Sequence, residues 1–235
     1  MNDFFDRTAL LIGQENLNIL KNKRIAVFGL GGVGCYSVET LARLGILEFT
    51  LIDCDVYKST NINRQLFATS KTISMKKIDV AKNRVLEINP SAKVTTYDLF
   101  FSEDNINLID FSNFDYVIDA IDTVSSKLAI IKTCYKLNIP VISSMGTGNK
   151  LNPYLFKVDF IENTSVCPLA RVMRSKLKEL NVKGVKVLYS TEKPKNCVVE
   201  NNEEKGRHIP ASISFVPSIA GILLAYEVVK DLISL

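Results

Sequence analysis

A doubly wound α/β domain with a mostly parallel, Rossmann-like sheet is the fold this sequence of 235 residues predicts. Three observations carry the prediction. Short apolar runs alternate with helical patterns from residue 24 onward, the first run feeds a glycine-rich turn, and acidic residues stand where such runs end.

The chain is organised around Arg24 to Asp55, RIAVFGLGGVGCYSVETLARLGILEFTLIDCD. Ile25 to Phe28 predict a strand, Gly29-Leu30-Gly31-Gly32-Val33-Gly34 a turn, the pattern up to Leu44 a helix, and Phe49 to Ile52 a second strand ending on Asp53. In such a turn the first glycine permits a sharp reversal, the second lets backbone approach a phosphate, and the third, Gly34, lets helix pack closely on strand. The helix then directs unpaired N–H groups and its positive dipole end at an anion. Asp53 stands where a carboxylate accepts ribose hydroxyls, so a nucleotide-like ligand is expected.

Ahead of this unit, Arg7-Thr8 opens an amphipathic stretch in which Leu10, Leu11, Leu17 and Leu20 can share one helical side. Behind it come Asp55 and the polar run Thr60-Asn61-Ile62-Asn63-Arg64-Gln65, then a helix predicted from Ser74 to Glu87 that carries Lys77 and stops at Asn89-Pro90. Val94 to Tyr97 predict a third strand. Ser102 caps a short helix through Leu108, and Tyr116 to Ile118 form a buried strand running into Asp119-Ala120-Ile121-Asp122. A helix from Ser125 to Leu137 and a strand from Pro140 to Ser143 follow, leading into Gly146-Thr147-Gly148, a turn over the nucleotide or a bare turn. Leu155 to Asp159, Leu169 to Leu180 and Val185 to Tyr189 predict strand, basic helix and strand, and Ile219 to Leu235 an amphipathic packing helix; these are C-terminal strand and helix additions to the same sheet. Residues 1–235 thus read as one domain, with a nucleotide-binding core at 1–150 and a substrate-facing extension at 151–235 that includes a mobile loop, 194–210.

Composition narrows the class. No start-of-chain leader pattern and no apolar run of membrane length is present, which points to a cytoplasmic protein. Five scattered cysteines without a C-x-x-C pair disfavour structural zinc and a disulfide framework. Cys35 and Cys134 read as helix packing, Cys54 sits beside the ribose acid, Cys197 and the lone His208 read as exposed loop residues, and Arg43 as a strand-helix brace. Charge is uneven: between 171 and 195, Arg171, Arg174, Lys176, Lys178, Lys183, Lys186, Lys193 and Lys195 face only Glu179 and Glu192. A solvated helix face and a polyanion-binding surface both account for such a run.

The glycine turn and its acid suit an NAD-dependent dehydrogenase equally well, and the cations decide between the two. Hydride transfer needs nothing charged at Arg64 and Lys77, whereas attack on an α-phosphate must stabilise a pentacovalent centre and a departing pyrophosphate. Arginine grips phosphate oxygens bidentately and lysine adds a compact point charge. Asp122 can ligate the Mg²⁺ that accompanies ATP, and Asn61 can orient a phosphate or a water on that metal. Asp119 reads as a cap for the backbone at the strand end.

Taken together, G-x-G-G-V-G, L-I-D-x-D, N-x-N-R-Q, the helix lysine and D-A-I-D resemble the ubiquitin-activating-enzyme-like superfamily of ATP-dependent adenylyltransferases. The resemblance implies a nucleotide site made by Gly29, Gly31, Gly32, Gly34, Asp53 on ribose, Asp55, Asn61 and Arg64 on the triphosphate, Gln65, Lys77 on phosphate and Asp122 on Mg²⁺. It also implies a homodimer in which Arg7 reaches the γ-phosphate in the partner subunit's site. RTALLIG, CPLARVMRSKLK at Cys167 to Lys178, YSTEKP at Tyr189 to Pro194 and ASISFVPSIAG at Ala211 to Gly221 resemble the branch that dehydrates threonylcarbamoyladenosine in tRNA.

That branch adenylates the threonyl carboxylate next to the anticodon and closes it into a ring with release of AMP, so the partners implied are ATP, Mg²⁺ and tRNA bearing threonylcarbamoyladenosine. Intramolecular closure gains from high effective molarity and requires no transfer thiol. Where some relatives carry a cysteine before the Ala-Ser segment, this chain has Pro210. The alternative is an adenylyltransferase that activates the C-terminus of a sulfur-carrier, ubiquitin-like protein.

Overall fold

The computed structural model describes residues 4–196 and 210–233. Strands β1 (Arg24–Phe28), β2 (Glu48–Asp53), β3 (Lys93–Asp98), β4 (Tyr116–Asp119), β5 (Val141–Ser144), β6 (Phe156–Phe160) and β7 (Lys186–Ser190) join one sheet in the order β3-β2-β1-β4-β5-β7-β6. Every adjacent pair is parallel except β6 with β7. The C-terminal strands therefore extend the same sheet, as predicted.

Helices α1 (Asp6–Ile12), α2 (Gln14–Lys21), α3 (Gly34–Leu44), α4 (Lys77–Ile88), α5 (Val124–Leu137), α6 (Pro168–Glu179) and α7 (Phe215–Ile233) flank the strands, and the short helix expected after Ser102 is a 3-10 turn at Glu103–Leu108. A parallel sheet needs cover on both faces, and β1 shows how the sequence meets that need. Its alternate residues Ile25 and Val27 enter a core with Val38 and Leu41 of α3 and Leu224 and Val228 of α7. Ala26 and Phe28 enter a second core with Phe101, Phe111 and Ile130. In a third, Met173 and Leu177 of α6 meet Ile131 of α5 and Val187 of β7. Phe28, fully buried, packs edge-on to Phe101 at 4.9 Å and stacks on Phe111 at 5.5 Å. Burying one such side chain stabilises the fold by about 1.5–3 kcal/mol.

Three local expectations change. The N-terminal stretch breaks at Gly13 (φ 84°) into α1 and α2, so Leu17 and Leu20 are buried while Leu10 and Leu11 stay exposed. The helix expected from Ser74 begins only at Lys77, because Ser74 turns with φ 68° and Lys76 forms a bridge with Val56. Arg43 braces no strand; its guanidinium pairs with Glu39 one turn back on α3, at 2.7 Å. No helix among the described residues is long and apolar enough to cross a membrane. Most of the loop expected at 194–210, with Cys197 and His208, lies outside the described residues.

Candidate active site

Strand order reverses at β1: the chain leaves it toward β2 and β3, then returns to its other side at β4. The helices that follow β1 and β4 cover opposite faces of the sheet, α3 in the core with Val27 and α5 in the core with Phe28, which leaves at this point the crevice in which doubly wound sheets bind ligands. A cleft of about 1000 Å³ opens at this point.

The glycine turn forms its floor. Gly29 takes φ 89°, and a Cβ there would lie 2.8 Å from the Ala120 carbonyl oxygen, so the loops after β1 and β4 touch only because the side chain is missing. At Gly34 a Cβ would come within 1.8 Å of the Gly29 carbonyl oxygen, which lets α3 start directly against the turn. Val33, the cap residue of α3, makes no side-chain cap bond, and among the described residues no backbone carbonyl accepts the N–H of Gly31 or Gly32. Free N–H groups and a helix N-terminus face the cleft together, a combination that favours an anion.

Asp53 ends β2 and ties the turn to it. One carboxylate oxygen accepts the Leu30 N–H at 2.7 Å and the other the Asp55 N–H at 2.8 Å. Burial pushes its pKa above the usual carboxylate value, opposed by Lys77 and by those two N–H groups. Lys77, the first residue of α4, donates its backbone N–H to the Asp55 carbonyl at 3.0 Å and its ammonium to the Asp55 carboxylate at 2.7 Å.

Arg64 lies against Gly32, its Cγ 3.4 Å from where a Cβ on that glycine would sit. One guanidinium nitrogen donates to the Thr60 carbonyl and the Asn63 side chain, both at 2.9 Å, and no carboxylate among the described residues is within ion-pair range. Asn61 spends its side-chain carbonyl on the Lys58 N–H at 2.9 Å, leaving its amide nitrogen as a donor. Gln65 is buried beside Gly31, and its Oε1 has no partner. Asp122 is exposed in the cleft, touched by the Thr123 hydroxyl at 3.4 Å.

Gly29, Gly31, Gly32, Asp53, Asp55, Asn61, Arg64, Gln65, Lys77 and Asp122 all line the one cleft. Gly34 lies beneath it. Arg7 is exposed on α1 and does not line the cleft of its own chain. An exposed carboxylate such as Asp122 suits Mg²⁺, a hard cation that keeps several waters. Asp53, Cys54 and Asp55 also converge within 4.8 Å, but a thiol among them and a lysine on Asp55 suit that ion less well.

Several wall residues escaped the sequence reading. Leu99, Phe100 and Phe101 form an apolar side just past β3, and their place after a strand's carboxyl end is the signal that could have found them. Thr147 and Gly148, which the sequence reads as a turn over the nucleotide or a bare turn, do line the cleft and meet Pro210 and Ser212 across its mouth. Asp119 proves to be more than a backbone cap: its fully buried carboxylate pairs with the fully buried Lys127 at 3.0 Å.

The basic segment also divides. Arg174 is turned inward and donates to the carbonyl and hydroxyl of Thr164, both at 2.7 Å, while Lys186 pairs with Asp231 at 2.6 Å. Arg171, Lys178, Lys183, Lys193 and Lys195 remain exposed. Cys35, fully buried, accepts the Leu66 N–H at 3.2 Å, and burial pushes its thiol up to about 12. Cys134 and Cys167 are buried as well, whereas Cys54 is exposed on the cleft wall.

Comparison with known proteins adds sequence and structural relatives. The model of the ThiF family matches residues 5–234. The chain is 41% identical over 239 residues to the tRNA threonylcarbamoyladenosine dehydratase of Bacillus subtilis, covering 97% of this chain and 94% of that one. The crystal structure of the E. coli tRNA N6-threonylcarbamoyladenosine dehydratase in complex with ATP superposes with TM-score 0.87 at 32% identity, covering 98% of this chain and 93% of that one. Its complex with AMP matches with the same TM-score, covering 97% of this chain.

Proposed function

The chain belongs to the ThiF family, and on that premise we propose that its cleft performs ATP-dependent dehydration of N6-threonylcarbamoyladenosine in tRNA. The observation that carries the reading is that Arg64 and Lys77 line one cleft with the glycine turn. Hydride transfer has no use for two cations there, while a triphosphate does.

The chemistry follows from the charges. The threonyl carboxylate attacks the α-phosphorus of ATP, the bond to the bridging oxygen breaks, and pyrophosphate leaves. Arg64 and Lys77 hold the charge that develops on the departing group, and the N–H groups of Gly31 and Gly32 hold phosphate oxygens. A neighbouring atom of the same modified side chain then attacks the acyl carbon and expels AMP. The net change is loss of one water from the nucleoside, with ATP becoming AMP and pyrophosphate. Asp53 receives the ribose with its remaining lone pairs, Asn61 and Gln65 orient phosphate, and Asp55 releases Lys77 to it. Mg²⁺, when bound, would neutralise phosphate charge, and Asp122 is the residue that would hold it.

Residues 1–150 bind the nucleotide and 151–235 face the tRNA. A second copy completes the site through Arg7, a reading supported by the exposed apolar residues Phe4, Leu10 and Leu11 around that arginine. A tRNA substrate puts the activity in the cytoplasm. The sulfur-carrier reading predicts ATP–pyrophosphate exchange stimulated by a small protein ending in Gly-Gly.

The test is incubation with ATP, Mg²⁺ and tRNA bearing threonylcarbamoyladenosine, followed by nucleoside mass spectrometry. A product lighter by one water is the expected result. Unchanged nucleoside, with exchange driven by a carrier protein instead, would reject the reading.

A further inference from the structure

We propose that the buried Lys127 ammonium is a positioning group that fixes the Asp122 loop against the turn following β5, so that two walls of the cleft keep one spacing. The proposal deepens the reading of the cleft as an ATP-dependent site and rests on it.

Lys127 and Asp119 are both fully buried, and every donor of the ammonium is used. Its three partners are the Asp119 carboxylate at 3.0 Å, the Ser143 hydroxyl at 3.1 Å and the Ser144 carbonyl at 2.7 Å. Ser143 in turn donates to the same Asp119 oxygen at 2.6 Å. The other Asp119 oxygen accepts the Ile121 N–H at 3.2 Å, which sets the start of the loop carrying Asp122. The end of that loop is set from α5, where the Lys127 N–H donates to the Thr123 carbonyl at 3.0 Å.

One side chain thus reaches two cleft walls. Ala120 to Thr123 form one of them, and Thr147 and Gly148, shortly beyond Ser144, belong to the other. Stability alone does not call for such a device, because a buried ion pair is often no more stable than an apolar pair of similar volume. Apolar side chains would pack here without direction. An ammonium with three fixed acceptors holds Asp119, Ser143 and Ser144 at set distances, and Asp122 takes its place from the loop between them.

The test is the double variant Asp119→Asn/Lys127→Met, which removes both charges and leaves no buried charge unpaired. Circular dichroism establishes its fold, and calorimetry measures ATP affinity with and without Mg²⁺. The expected result is unchanged ATP affinity without metal, with half-saturating Mg²⁺ raised and kcat lowered, each by about 10-fold. KM for tRNA should stay as in the wild type, a split that a general loss of structure would not give. Wild-type metal dependence and kcat in the folded double variant would overturn the proposal. If that variant does not fold, Ser143→Ala decides: it should move half-saturating Mg²⁺ in the same direction, and no shift would overturn the proposal. Because the metal titration reads binding and not dehydration, a shifted variant beside a wild type that does not dehydrate the tRNA would count against the assigned reaction alone.

Discussion

The Lys77 ammonium lies 2.7 Å from the carboxylate of Asp55 and 3.8 Å from that of Asp53, and the lysine side chain is almost wholly buried. Asp55 is largely exposed at the cleft wall, so its hold on the lysine is open to competition from water and from any entering anion. A triphosphate offers more charge than one solvated carboxylate, and the proposed reading has the ammonium exchange Asp55 for phosphate as the nucleotide enters. Lys77→Met should therefore lower turnover by about 10²-fold or more, since a preorganised cation beside developing charge is worth that much. Steady-state kinetics with ATP varied would check it; tRNA affinity should not move, and unchanged turnover would remove Lys77 from the chemistry.

Gly34 and Gly31 should respond differently to alanine, though both belong to one motif. At Gly34 the added carbon meets the Gly29 carbonyl oxygen at 1.8 Å, and the contact is with backbone, which cannot swing aside. Gly34→Ala should cost about 1–3 kcal/mol and lower the melting temperature. At Gly31 nothing lies nearer than the Gln65 amide nitrogen at 3.9 Å, so Gly31→Ala should melt as the wild type does. Its effect should appear only as a smaller rise in melting temperature on adding ATP, because on the proposed reading the new methyl stands where phosphate approaches.

The legibility of this cleft in the sequence has a physical reason. Parallel strands put their carboxyl ends on one side of the sheet, so any residue just past a strand is brought there by topology, and Gly29, Asp53 and Asp122 were placed without knowledge of packing. Lys127 was not, because a single lysine in a helix looks like a solvated cation until the turn of α5 directs it inward toward Asp119. The start of α4 at Lys77 departs from the local pattern for a related reason. Ser74 to Lys76 satisfy a helical pattern, but Ser74 turns with φ 68° and the bridge to Val56 holds Lys76 extended, a long-range contact that local periodicity does not register. Arg174 likewise reads as one more base in a basic run, although Thr164 claims its guanidinium.

Glu39 should contribute to acid sensitivity. Burial opposes its ionisation, but hydrogen bonds from Arg84 and Arg43 outweigh that and hold its carboxyl below the usual value. A folded pKa below the unfolded one adds stability above the unfolded value, and that stability is lost as pH falls through the folded pKa. Both arginines are partly exposed, so solvent screening limits the contribution to about 1 kcal/mol or less. Glu39→Gln should be slightly less stable than wild type at about pH 7 and converge with it as pH falls through the lowered Glu39 pKa. Denaturant unfolding on either side of that pKa gives the comparison, and parallel curves would exclude the pair as a source of acid sensitivity.

The exposed bases of the C-terminal half carry the last prediction, and the geometry decides which of them test it cleanly. A surface that binds tRNA through phosphates should lose affinity with salt by about 0.7 to 0.9 log units per log unit for each phosphate contacted. Arg171→Glu, Lys178→Glu and Lys183→Glu each reverse a charge that faces solvent, so each should weaken tRNA binding and flatten the salt slope while leaving the melting temperature as it was. Arg174→Glu would weaken binding for a different reason, since it removes both bonds to Thr164 and places a carboxylate against a carbonyl. Its melting temperature should fall, and filter binding across a salt series separates the two cases. Salt-insensitive binding, or exposed-base variants that bind as tightly as the wild type, would move the tRNA surface away from α6 and its neighbours.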